Sequence, residues 1–174
     1  MKNSDAEPKH LQAIPASAEL KTFFIDHLNR IYCAKSHLVQ RLPEMTDQAY
    51  FSDLKLAITE TLEDVEHQII RMDEIYVLLD AQPSLEKCNG LTAMVEQAFS
   101  DIGEQRDNHE IRDLAILFYL QHIESVEVSS FLALQMIAAK FNNKQILQLL
   151  LENFDEAKED RALLVHITKK YLGD

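Results

Sequence analysis

The chain has 174 residues, 47% apolar and 26% charged, a balance that suits one globular domain and excludes an intrinsically disordered chain. Three Gly, four Pro and no Trp are too few turn formers for an all-β fold, and too few glycines for an α/β fold with phosphate-cradling loops, so the reading is all-α. The formal net charge of −12, with no segregated basic patch, argues against nucleic acid and against anionic membrane surfaces as partners.

Residues 1 to about 16 (MKNSDAEPKHLQAIPA) carry two prolines and no periodicity, and read as a disordered or extended tail; the bundle is expected over 17–172. The first predicted helix runs from about Ser17 to Leu42, with Leu20, Phe24, Leu28, Ile31, Leu38, Val39 and Leu42 at spacings of three and four, and Pro43 is expected to kink or end it. The second runs from Ser52, read as its N-cap, to Leu79, and carries Leu54, Ile58, Leu62, Val65, Ile69, Met72 and Tyr76 on one face. A shorter segment follows from about Gly90 to Ile102. The fourth, from about His109 to Phe141, is apolar over most of its circumference, which places it centrally or in a contact between copies. After Asn142 and Asn143, which suit a left-handed C-cap and an N-cap, the last helix runs to about Leu172. Four long helices and one short one predict a four-helix bundle, with the short helix as cap or crossover.

No apolar run approaches the ~20 residues of a membrane span, and the polar start lacks the apolar core of a secretory signal. Cys33 and Cys88 form no CxxC pair and no disulfide framework. Inert thiols in a reduced cytoplasm are the expectation, with Cys33 pointing away from the first stripe.

Function in a bundle is built from polar side chains that enter the core. At 100° per residue, Lys35 falls in the centre of the first stripe and Glu124 in the centre of the fourth. On the last helix Glu156 and Asp160 share the face of Leu149, Leu163 and Ile167, with Glu152 one turn earlier. Thr61, Asp64 and Gln68 line one edge of the second stripe. Buried charges persist when paired, hydrogen-bonded or metal-bound, so inward polar groups from four helices point to one site.

The matches ELKTFFIDHLNRIYCAK, HLVQRLPEM, ITETLEDVEHQIIRMDEIYVLL, QPSLEKC, RDLAILFYLQHIESVEVSSF and LLLENFDEAKEDRALL occur in an order and spacing that resembles the YciE/YciF-type branch of the ferritin-like superfamily, over about Glu19 to Leu172. The resemblance implies a ferritin-like four-helix bundle with one short extra helix between the second and third long helices. It also implies a homodimer, an association with stress, and carboxylates and histidines placed as in a di-iron centre. Gln121, Glu124 and Glu127 keep the family's pattern on the fourth segment, as do Glu152 and Glu156 on the last. Thr61, Asp64 and Gln68 stand where the family shows His-x-x-Glu and a further His, and Lys35 stands at the inward Glu of the first helix.

A protonated Lys has no lone pair and brings positive charge where cations must sit. The expectation is a degenerate centre in which Lys35 pairs with Asp64, Glu124 and Glu156, within a network that also holds Thr61, Gln68, Gln121, Glu152 and Asp160. On that reading no cofactor is bound and the protein is non-enzymatic. The alternative is an iron or manganese carboxylate protein with oxidase or peroxide-consuming activity, its ligands Asp64, Glu124, Glu152 and Glu156. Iron storage in a cage is not implied.

Among other constellations, Asp64-Val-Glu-His67 has metal-binding spacing, but His67 falls opposite the stripe and reads as exposed. Shifted ligation through His27, on the edge of the first stripe, or through Glu127 is the remaining variant of a metal site. His37, His122 and His166 read as surface residues, and no nucleophile-elbow motif is present.

Overall fold

The computed structural model describes residues 14–84 and 88–173. Most of the predicted tail (1–13) and residues 85–87 of the QPSLEKC match lie outside the described residues. The elements are α1 (Ala18–Gln48), α2 (Ser52–Leu78), α3 (Asn89–Glu104), α4 (His109–Ala138) and α5 (Lys144–Leu172), with a 3-10 turn over Ala139–Phe141 joined to α4.

Helix ends follow local chemistry where the sequence offers it. The Ser17 hydroxyl accepts the Leu20 amide at 3.2 Å to open α1. Asn108 does the same for Ile111 at α4, and Asn143 accepts the amides of Gln145 and Ile146 at α5. Asn142 takes the left-handed conformation at φ 54° between the 3-10 turn and α5, as its short polar side chain permits.

Two boundaries differ from expectation. Helix α1 does not end at Pro43 but continues to Gln48. Pro43 is exposed while Leu42 and Met45 bury, so the bond it cannot donate is lost on the solvent side and packing carries the helix on. Nor is Ser52 the cap of α2. The cap position is Phe51, which lacks a capping side chain. The carboxylate of Asp113 on α4 accepts instead from the amides of Tyr50 and Phe51 at 2.8–3.0 Å, and from the Tyr171 hydroxyl at 2.7 Å. A fully buried acid thus caps α2 from another helix.

In cross-section the long helices form a square in the order α1, α2, α5, α4, with α1 beside α2 and α4, and α5 beside α2 and α4. The start of α4 meets the start of α2 through Asp113, so α2 and α4 run in the same direction and the connection between them returns along the bundle. Helix α3 lies in that connection and packs on α1 and α4. Two apolar clusters fill the interior. One is built around Leu38, Leu42, Ile58, Leu117, Leu120 and Leu164, the other around Phe24, Leu28, Met72, Phe131, Ile146 and Leu150. Between them lies the polar layer.

Candidate functional site

The polar layer is made of Lys35 from α1, Thr61 and Gln68 from α2, Glu124 and Glu127 from α4, and Asn153 and Asp160 from α5, each at most 3% exposed. Placement follows from helical period: each residue occupies a position that would otherwise continue its helix's apolar stripe. The Lys35 ammonium is ion-paired to the carboxylate of Glu127 and lies 5.6 Å from the centre of the Phe131 ring. Its partner is therefore not Asp64, Glu124 or Glu156.

Three buried acids face this one ammonium, and their charge state follows from desolvation. Burial, reinforced by Glu127, pushes the Glu124 carboxyl well above the usual carboxylate range, with Lys35 opposing. As a carboxylate, Glu124 would have no donor on either oxygen; as an acid it has a proton to give to Glu127. Asp160 is pushed up to about 7 by burial and then by Asp64, with which it shares a hydrogen bond. Asp64 itself is half-buried and raised, first by burial and next by Glu156. The Thr61 hydroxyl reaches Asp160 at 3.5 Å, the limit of a hydrogen bond. Both polar atoms of the Gln68 amide, Oε1 of Glu127 and Oδ2 of Asp160 have no protein partner.

The remaining predicted members sit elsewhere. Glu152 and Glu156 are held by Arg71 of α2, a residue outside the predicted network. Its guanidinium forms a fork on Glu156 with two bonds of 2.6 Å, and its Nε lies 3.1 Å from Glu152. It also donates to Asn153 at 3.3 Å, and Asn153 in turn donates to the Gln68 carbonyl. Its signal was present: Thr61, Asp64, Gln68 and Arg71 recur at spacings of three, four and three. Gln121 bonds Thr168 at 2.8 Å, away from Lys35.

Among the described residues, no imidazole enters the polar layer. His27 stacks on Phe23 at 4.0 Å, His37 pairs with Glu96, and His67, His122 and His166 are exposed. Iron or manganese in such a bundle draws on Glu-x-x-His pairs and carboxylates free to bind it. Here the described residues place no imidazole in the layer, an ammonium stands among the acids and Arg71 engages two of the four proposed ligands, so this donor set does not fit a di-metal centre. Among the described residues, no three His, Cys, Asp or Glu side chains are arranged to hold a metal ion.

The cysteines correct a second expectation. Cys33 is buried rather than turned to solvent, and it is joined to Cys88 in a disulfide with Cα atoms 5.6 Å apart across 55 residues of sequence. Helix α3 packs on a side of α1 that the square of long helices leaves open. Beside it a cleft of about 900 Å³ opens between α1, α4 and the start of α3. Among the described residues, no helix is long and apolar enough to cross a membrane.

A bundle of four long helices with a short helix in its long crossover connection has the ferritin-like fold. The chain belongs to the family DUF892, a domain of unknown function, which matches residues 19–172. It is similar to protein YciF of Escherichia coli (strain K12), 25% identical over 143 residues that cover 80% of this chain and 84% of that protein. The crystal structure of the E. coli stress protein YciF matches with a TM-score of 0.84 at 23% identity, covering 91% of this chain and 99% of the other. YcfI, a candidate structural protein from Rhodopseudomonas palustris, matches with a TM-score of 0.78 at 26% identity, covering 90% and 95%.

Proposed function

We propose that this chain is a stress-associated, non-enzymatic protein of the cytoplasm in which the di-metal position of the ferritin-like centre is filled by the Lys35 ammonium. One observation carries the reading: Lys35 is wholly buried with its ammonium on Glu127, where a metal centre needs a carboxylate ligand. Arg71 supports it by engaging Glu152 and Glu156. The link to stress comes from the likeness to YciF, whose crystal structure is described as that of a stress protein, and the structural role ascribed to YcfI agrees with a scaffold rather than a catalyst. We further propose a homodimer through the outer face of α4, where Ile111, Phe118, Leu132 and Met136 stand 40–66% exposed.

The rival reading, an iron or manganese oxidase, has one observation in its favour. Oxygens of Glu124, Glu127 and Asp160 stand without hydrogen-bond partners in the core, as ligands awaiting a cation would. Metal analysis of protein grown with added iron and manganese, beside a Lys35→Glu variant, separates the two. The proposal expects less than ~0.1 metal per wild-type chain, and a gain toward the ~2 of a di-metal site in the variant. One or two metals per wild-type chain would overturn it and make peroxide or oxygen turnover the next assay.

A further inference from the structure

The disulfide, the outer cleft and the buried ion pair lie along one path. The first turns of α3 begin at Cys88, and Leu91, Met94 and Val95 from those turns close over Glu127 against Ile31 of α1 and Val126 of α4. The void they leave there is only about 10 Å³, at the lower limit for a single water. Ile31, Leu91 and Val126 also line the cleft of about 900 Å³ on the outer side. A thin apolar partition therefore separates solvent from the Lys35–Glu127 pair, and α3 supplies one wall of it.

Helix α3 is fastened differently at its two ends. Its second half buries Phe99 and Ile102, carries the Arg41 guanidinium 4.3 Å from the Phe99 ring centre, and bonds Tyr119 through Asp101. Its beginning borders the cleft with an exposed Gly90 and is tied to α1 through Cys88 and Cys33. Cys33 is two residues from Lys35, so the covalent tie sits at the level of the polar layer.

We propose that Cys33–Cys88 is a redox latch on the wall formed by the first turns of α3, closing the outer cleft from the buried Lys35–Glu127 pair when oxidised and opening it when reduced. A dithiol performs the opening: its thiolate attacks one sulfur and the S–S bond breaks. Resolution of the mixed disulfide then leaves two protein thiols and an oxidised dithiol, two electrons having passed to the protein. The proposal needs only the buried pair and the wall, so it stands or falls separately from the metal reading.

Full-length protein oxidised with diamide, the same protein reduced with dithiothreitol, and a Cys88→Ser variant are compared by three measurements. Peptide mapping without reductant should find Cys33 linked to Cys88 in the oxidised sample. Amide hydrogen exchange over residues 89–96 should then run about tenfold faster in the reduced sample, and in the variant whatever the redox state, with α5 within twofold as the reference. Acetic anhydride should acylate Lys35 in the reduced protein and leave it unlabelled in the oxidised one, while surface lysines react in both. If the variant fails to fold, the two states of the wild type carry the test. Absence of the Cys33–Cys88 link after diamide, or equal exchange and equal Lys35 labelling in the two states, would overturn the latch.

Discussion

Replacing Glu127 by Ala removes the ion-pair partner of the buried Lys35 ammonium, and the expected loss is ~3–5 kcal/mol of unfolding free energy by urea titration. Removing both charges together, as Lys35→Met with Glu127→Leu, should cost far less, within about 1–2 kcal/mol of the parent, because the desolvation penalty goes with the pair. The acids around this pair set a pH dependence of definite sign. Asp160 titrates near 7 folded and lower unfolded, and Glu124 is raised in the same sense. Between the unfolded value near 4 and the folded value near 7 the native state holds more protons, so stability falls as pH rises through that window. Melting temperatures by circular dichroism should be higher at pH 5 than at pH 8, and Asp160→Asn should flatten the slope. A profile that rises from pH 5 to 8 would contradict these protonation states. Periodicity placed Lys35 in the core, but it assigns a face and not an axial level. That is why Glu127, one turn from the expected Glu124, holds the ammonium.

Helices α2 and α5 show where element boundaries are decided. Asn143 caps α5 from the adjoining position, a local device worth about 1 kcal/mol to an Asn143→Ala change. Asp113 caps α2 from 62 residues away and also receives the Tyr171 hydroxyl, so Asp113→Ala strands three donors. A loss of about 3 kcal/mol is expected in the same urea titration, exceeding that of Asn143→Ala. Equal losses would mean that Asp113 is no cap. The local cap of α5 is legible in sequence as Asn after Asn; an acid in the first turns of α4 gives no sign that it serves α2. Pro43 is the converse case, a strong local stop overridden because Met45 has a core to enter.

The molecule as a whole presents α4 both inward and outward. Its inner face carries Leu117, Leu120 and Phe131 into the core, and its outer face leaves Phe118 at 54% and Met136 at 66% exposed. If that outer face joins two copies, Phe118→Glu with Met136→Glu should convert a dimer of about twice the 20.0 kDa chain mass to a monomer by light scattering, with helical content unchanged. A wild type that is already monomeric at tens of micromolar would refute the dimer.

Helix count, the burial of each stripe and the presence of an inward polar residue on each long helix were properties of the sequence alone. A repeat of three and four residues is local, and burying it needs only some apolar partner. Which polar groups meet was decided by tertiary structure. The order α1, α2, α5, α4 around the square brings Arg71 to Glu152 and Glu156, sets Lys35 level with Glu127, and folds α3 back until Cys88 reaches Cys33. Those pairings depend on which helices are neighbours and at what height they cross, and neither quantity is written in the period of any one helix.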